Sequence, residues 1–133
     1  MKLSSRSEYA LLALVYLSRH NSDGFVSVET IASAQDIPPK FLEHILLALK
    51  RAQHLRSRKG QNGGYRLAKP AKQIALAEVI RLFDGALAPT ESVSEYFYES
   101  TPIEKEKSLV RVFKEIRDYV SEQLESTTLA DVS

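Results

Sequence analysis

The chain has no cysteine in its 133 residues. Disulfides, thiolate nucleophiles and cysteine-ligated metals are therefore excluded. It also lacks a long hydrophobic run. The apolar segment Ala10–Leu17 is too short to span a bilayer, and Glu8 precedes it closely, unlike a signal peptide. This reads as a cytosolic chain with no membrane partner. No Ser/His/Asp arrangement can be picked out, and there is no phosphate-binding glycine loop of the P-loop or Rossmann kind. His20, His44 and His54 fall on different elements without paired metal-ligand spacing, and His20 and His54 read as surface or loop positions. Glu91, Glu95, Glu99, Glu104 and Glu106 are hard ligands in type, but acidic loops are ordinarily just solvated. An enzyme has no support, and neither metal nor cofactor is expected.

Positive charge overall is also scarce: the net charge is +1. Its distribution matters more. Residues 1–72 hold 12 Lys and Arg against 5 Asp and Glu, a net of +7, and residues 73–133 hold 6 against 12, a net of −6. The 44% apolar content suffices for a core. A basic half and an acidic half fit regions that face and avoid a polyanion such as double-stranded DNA.

The cations coincide with a motif. Val28, Ile31 and Ala32 give a short amphipathic helix that Ser27 can cap. Gln35, Asp36 and Ile37 read as a turn, and Pro38–Pro39 suit the first turn of a second helix, taken as 38–52. Leu42, Ile45, Leu46 and Leu49 form its apolar face, opposite Lys40, His44, Lys50 and Arg51. Two helices joined by a three-residue turn make a helix-turn-helix, whose second helix can enter a major groove. Leu55–Lys59 then alternates as a strand, Gly60–Gly64 reads as a hairpin tip with Asn62–Gly63 as the positive-φ pair, and Tyr65 and Leu67 return inward. This basic hairpin, 55–67, is a wing.

The flanks read as helices. Ser4–His20 carries a Ser5/Glu8 capping box and a stripe of Tyr9, Leu12, Ala13, Tyr16 and Leu17, with Lys2 and Arg6 beside an N-terminus open to phosphate. Phe25–Val26 suits a short strand pairing with the wing. Leu76–Phe83 is a short helix with Val79, Ile80 and Phe83 inward, ended by Asp84–Gly85. Residues 86–100 show no sustained period. A second capping box, Thr101–Glu104 with Pro102 at the first position, starts a helix to about Glu125, roughly 36 Å long. Its stripe is Leu109, Phe113, Ile116, Val120 and Leu124, widened by Val112 and Tyr119. That face packs either on its own domain or against the same helix of a second subunit, and the length favours the second. Leu129 and Val132 are expected to tuck back. The fold class is mainly α with a small β-hairpin wing: a winged helix-turn-helix domain (1–85), a loop (86–100), and a dimerisation helix with its tail (101–133).

Several segments resemble the Rrf-type family of winged-helix regulators: Leu3–Tyr9, Phe41-Leu-Glu43, Leu49-Lys-Arg51, Ser57–Gly60 with Gly63–Leu67, Ile74–Ile80 and Thr128–Asp131. The likeness spans the chain, and the wing is its most specific part. It implies a homodimeric transcription regulator, most often a repressor, on a two-fold-symmetric operator. Phe41 and Glu43 match family positions that face base edges; Lys40, where the family often has a small polar residue, and His44, one turn after it, join them by their place on the exposed face of the second helix. Phe41 can touch sugar or a thymine methyl, and Glu43 can accept from cytosine. Arg51, Arg58, Lys59, Gly60 and Asn62 belong to the phosphate and minor-groove set, with Lys59 standing where the family has arginine. Members that sense through an iron–sulfur cluster hold it with cysteines near 86–107, so that function does not transfer here. The aromatic run Tyr96-Phe97-Tyr98, with Glu91 and Glu95, either covers the core or forms a site for a small-molecule effector or partner protein. A winged helix that binds only protein is the competing reading.

Overall fold

A computed structural model describes all residues, 1–133. Six α-helices and one two-stranded sheet follow in order: α1 (Ser5–Arg19), α2 (Val28–Gln35), α3 (Pro39–Arg51), β1 (Leu55–Arg58), β2 (Gly64–Leu67), α4 (Leu76–Asp84), α5 (Lys107–Ser126) and α6 (Leu129–Val132). Short 3₁₀ turns fill the connections. No helix is long and apolar enough to cross a membrane.

Helix α1 is the hub, packed by α2, α3 and α4. Its buried side chains are Ser7, Ala10, Ala13, Leu14 and Leu17. The expected stripe was thus rotated: Tyr9 and Tyr16 lie at its margin and Leu12 is 40% exposed. The physical reason is size, because Ala10 and Ala13 let neighbouring helices approach where larger side chains would hold them off. The Ser5/Glu8 capping box does not form. Ser4 caps instead, its hydroxyl accepting from the Ser7 amide at 3.2 Å. The deciding group comes from α4: the Asp84 carboxylate accepts from the Ser4 amide (3.0 Å) and the Ser7 hydroxyl (2.8 Å). The anion at this N-terminus is therefore internal, which corrects the expectation of a phosphate there.

Burial pushes the Asp84 carboxyl up, but the bonds from Ser4 and Ser7 and the nearby Arg6 outweigh it, so its pKa is lowered. A depressed folded-state pKa adds stability that is present above the unfolded carboxylate pKa and is lost as pH falls through the folded one. Asp84→Ala should cost about 1–3 kcal/mol near neutral pH, because it strands the buried Ser7 hydroxyl and the Ser4 amide at the start of α1. In paired denaturation curves the gap to wild type should narrow below pH 4 or so. A gap independent of pH would assign the effect to packing.

Helices α2 and α3 match their pattern. The Ser27 hydroxyl accepts from the Thr30 amide at 3.2 Å, and Leu42, Ile45, Leu46 and Leu49 are all buried. Each contributes about 1.5–3 kcal/mol of apolar burial. Asp36 ends α2 in the left-handed region (φ 54°) and Ile37 plugs the turn into the core.

The C-terminal region departs in three places. The Thr101–Glu104 capping box forms, yet it opens only the 3₁₀ turn Pro102–Lys105. Glu106 is extended, so α5 starts at Lys107 and its 20 residues span about 30 Å. Leu129 is fully buried in the main core, tied by its amide to Ile74 O (3.0 Å), whereas Val132 stays 40% exposed. Along α5 only Ser121 is buried. Segment 86–94 packs on the domain through Leu87, Ala88 and Val93, and Arg117 of α5 donates to Val93 O at 3.0 Å.

Candidate nucleic-acid interface

Strands β1 and β2 pair antiparallel, Leu55 with Leu67 through Arg58 with Gly64. The hairpin tip differs from expectation. Asn62 and Gly63 are not at positive φ; Gly60 (104°) and Gly64 (145°) are. Gly63 and Gly64 are required for closeness: a Cβ would strike the Arg58 carbonyl in one case and the Val26 carbonyl in the other. That second approach exists because Val26 and Tyr65 exchange both backbone hydrogen bonds at 2.8 Å. Phe25–Val26 thus forms a single bridge with the wing and not a strand.

The bridge sets Phe25 under the wing. The Arg58 guanidinium lies 4.5 Å from its ring centroid and that of Arg66 5.7 Å. Two wing cations are therefore held on one aromatic plate, a role the sequence alone did not signal. Arg58 Nη2 also lies 3.4 Å from Asn62 O. Lys59, Gly60 and Asn62 are exposed at the tip.

On α3, Lys40, Glu43, His44, Lys50 and Arg51 are exposed and none is in an ion pair. Phe41 is 40% exposed, and its ring meets Tyr9 of α1 edge to face at 5.5 Å. It therefore braces α3 against α1 while leaving one side open.

His54 is not the surface residue expected. It is 6% exposed, and its Nδ1 has no hydrogen-bond partner; Glu78 Oε2 is 4.0 Å away. Its backbone explains the burial. The amide donates to Leu49 O and the carbonyl accepts from Ala68 N, both at 2.9 Å, so His54 joins the end of α3 to the wing. Gln53 enters that corner at φ 68°. Burial, then Lys69, lowers the imidazole pKa against the opposing pull of Glu78. The fold therefore disfavours the charged imidazole, and stability is lost as pH falls through the ordinary imidazole range, where the unfolded chain takes up the proton first. His20 is a surface residue, 40% exposed in its side chain, stacked on Tyr16 and bonded to Asp23.

The 86–107 residues named as an effector set do not converge. Tyr96 stacks with Arg81 at 5.0 Å, Phe97 lies over Gly85, and Glu91 and Glu95 face outward. Tyr98 lines a groove of about 620 Å³, where its hydroxyl donates to Glu104 at 2.9 Å, and Glu91 borders a separate pocket of about 290 Å³ beside Asp84. The α5 stripe expected to dimerise is partly open: Leu109 is 47%, Val112 49%, Ile116 43% and Tyr119 73% exposed, while Phe113, Val120 and Leu124 are half-buried.

Comparison with known proteins agrees with this geometry. The family model described as "Rrf2: Iron-dependent Transcriptional regulator" matches residues 3–133. Rv1287 of Mycobacterium tuberculosis, named among HTH-type transcriptional regulators, is 39% identical over 137 residues, covering 100% of this chain and 81% of that protein. The structure of CymR, the global cysteine regulator of Bacillus subtilis, superposes with a TM-score of 0.79 at 30% identity, covering 99% of this chain and 95% of that one. T. potens IscR gives 0.76 at 27% identity, covering 99% and 85%. These relatives are regulators and not enzymes. With its winged helix-turn-helix, exposed basic face and family match over nearly its whole length, the chain belongs to the Rrf2 family of DNA-binding transcriptional regulators.

Proposed function

We propose that the protein is a homodimeric repressor that binds a palindromic operator without an iron–sulfur cluster. The observation that carries this reading is a pairing of surfaces. Exposed cations crown α3 and the wing, while Leu109, Val112, Ile116 and Tyr119 of the α5 stripe are left uncovered by their own protomer. Two protomers joined along α5 would send two α3 helices into successive major grooves, with the wings beside them. Lys40, Phe41, Glu43 and His44 are the base-facing residues, and Arg51, Arg58, Lys59, Gly60 and Asn62 the phosphate and minor-groove set. The absence of cysteine denies a cluster its thiolates, so control falls to an effector or partner acting at segment 86–107.

Selection of bound sequences from random DNA tests this reading. Enrichment of a two-fold-symmetric site supports it, and recovery of no palindrome favours the protein-binding winged helix.

Phe25 gives a finer test. Phe25→Ala removes the plate under Arg58 and Arg66 but no charge. Both guanidinium groups must then be ordered on binding, at about 0.5–1.5 kcal/mol per side chain, so duplex affinity should fall about 5–150-fold with the salt slope unchanged. Phe25→Trp should restore it. Anisotropy titrations at several salt concentrations measure both quantities, and unchanged affinity in Phe25→Ala would remove Phe25 from the interface.

A further inference from the structure

Residues 73–133 are acidic overall, yet five of their six cations crowd into 105–117: Lys105, Lys107, Arg111, Lys114 and Arg117. Three of these, Lys107, Arg111 and Lys114, follow one another at i, i+4 and i+7 along α5 and line one groove. Ser92 and Tyr98 form its other wall, and Glu104 sits at its edge. The groove measures about 620 Å³, within the range of small-molecule sites. None of the three cations has a carboxylate within ion-pair distance. The single carboxylate of the lining is already engaged, since Glu104 accepts from the Tyr98 hydroxyl and the Thr101 amide, both at 2.9 Å. The α5 N-terminus adds to the field: its N-cap Glu106 makes no side-chain cap, and although Leu109 N donates to Glu106 O, the Lys107 and Ser108 amides stay open.

Position matters as much as charge. Leu109 and Ile116 of the apolar stripe point about half a turn away from Lys107 and Lys114. A small molecule in the groove would leave the dimer face clear. The loop wall is joined to the rest of the protein by the Ser92–Thr101 hydroxyl contact, by Arg117 donating to Val93 O, and by buried Leu87 and Val93.

We infer that this groove binds a small polyvalent anion, one carrying two or more carboxylate or phosphate groups, and that this anion is the effector. The inference rests on the regulator reading and deepens it. It also reverses the sign of the site: the sequence drew attention to Glu91 and Glu95, which would suit a cation, but the groove presents three cations to one carboxylate, Glu104, that is already engaged by Tyr98 and Thr101.

The test is titration calorimetry of the full chain with citrate and with pyrophosphate, each against sodium chloride at matched ionic strength. Wild type should bind at least one of them above the chloride control. Citrate alone would assign carboxylates, pyrophosphate alone phosphates, and both the shared chemistry. The double variant Lys107→Gln/Arg111→Gln, altered only at exposed positions, should weaken binding about 100-fold, at about tenfold per charged hydrogen bond. Arg58→Ala/Lys59→Ala should not weaken it, which separates the groove from the wing. Duplex binding is measured on the same samples. If DNA binds but neither anion exceeds chloride, or the groove variant binds equally well, the groove assignment falls alone. If DNA binding is itself absent, the regulator reading falls with it.

Discussion

Replacing Ile116 with lysine should leave the protomer folded and cost tight operator binding about 100-fold or more. Ile116 is 43% exposed within its own protomer, so a charge there meets water when the chain is alone. Across a dimer seam the same ammonium would be desolvated with no carboxylate partner, at a cost of several kcal/mol. That is enough to empty a dimer of ordinary strength. A protomer set free engages one half-site, and the second site no longer gains from effective concentration, which commonly adds about 10²–10⁴ in affinity. Phe113 is half-buried, so a charge there would also strain the protomer; Ile116 is the cleaner position. Light scattering gives the mass, circular dichroism the fold and anisotropy the affinity. An Ile116→Lys protein that remains dimeric with undiminished affinity would move the interface off this stripe, and a monomeric wild type at micromolar concentration would end the dimer reading.

Removing the wing cations should act differently. Arg58→Ala/Lys59→Ala is expected to weaken binding to every duplex, specific or not, and to flatten the slope of log K against log salt by about two units if both side chains meet phosphate. Both residues are exposed, and the hairpin is held by its backbone ladder and the Val26–Tyr65 bonds, so it stays built and the loss is mainly electrostatic, with the Arg58–Phe25 contact vacated. Lys40 or His44 substitutions should change which sequence is preferred and leave the slope nearly intact. Identical slopes for wild type and the wing variant would place the wing away from DNA.

The effects of these variants trace to elements of unequal legibility. The helix-turn-helix could be read because local chemistry and burial agree there. Pro38–Pro39 start α3, Ser27 caps α2, and four aliphatic residues recur at helical spacing on the face that is buried. The open stripe of α5 was readable for the same reason. The sequence by itself therefore determined the element order as far as α5, the faces of α2, α3 and α5, the charge division and the exclusion of thiolate-held clusters, but not the short helix α6. Only the tertiary structure decided the rest. Asp84, 80 residues from Ser4 in sequence, selected the α1 cap over the local Ser5/Glu8 box. Val26, meeting Tyr65, moved the glycine requirement to Gly64 and set Phe25 beneath two arginines. His54 was buried by backbone bonds to Leu49 and Ala68, and Lys107, Arg111 and Lys114 became a groove only when 92–98 folded against α5. Helical period and capping act over three or four residues, so composition and spacing reveal them. A carboxylate, a ring or a loop wall supplied from dozens of residues away leaves no periodic trace, and its effect exists only once the chain has brought the two together.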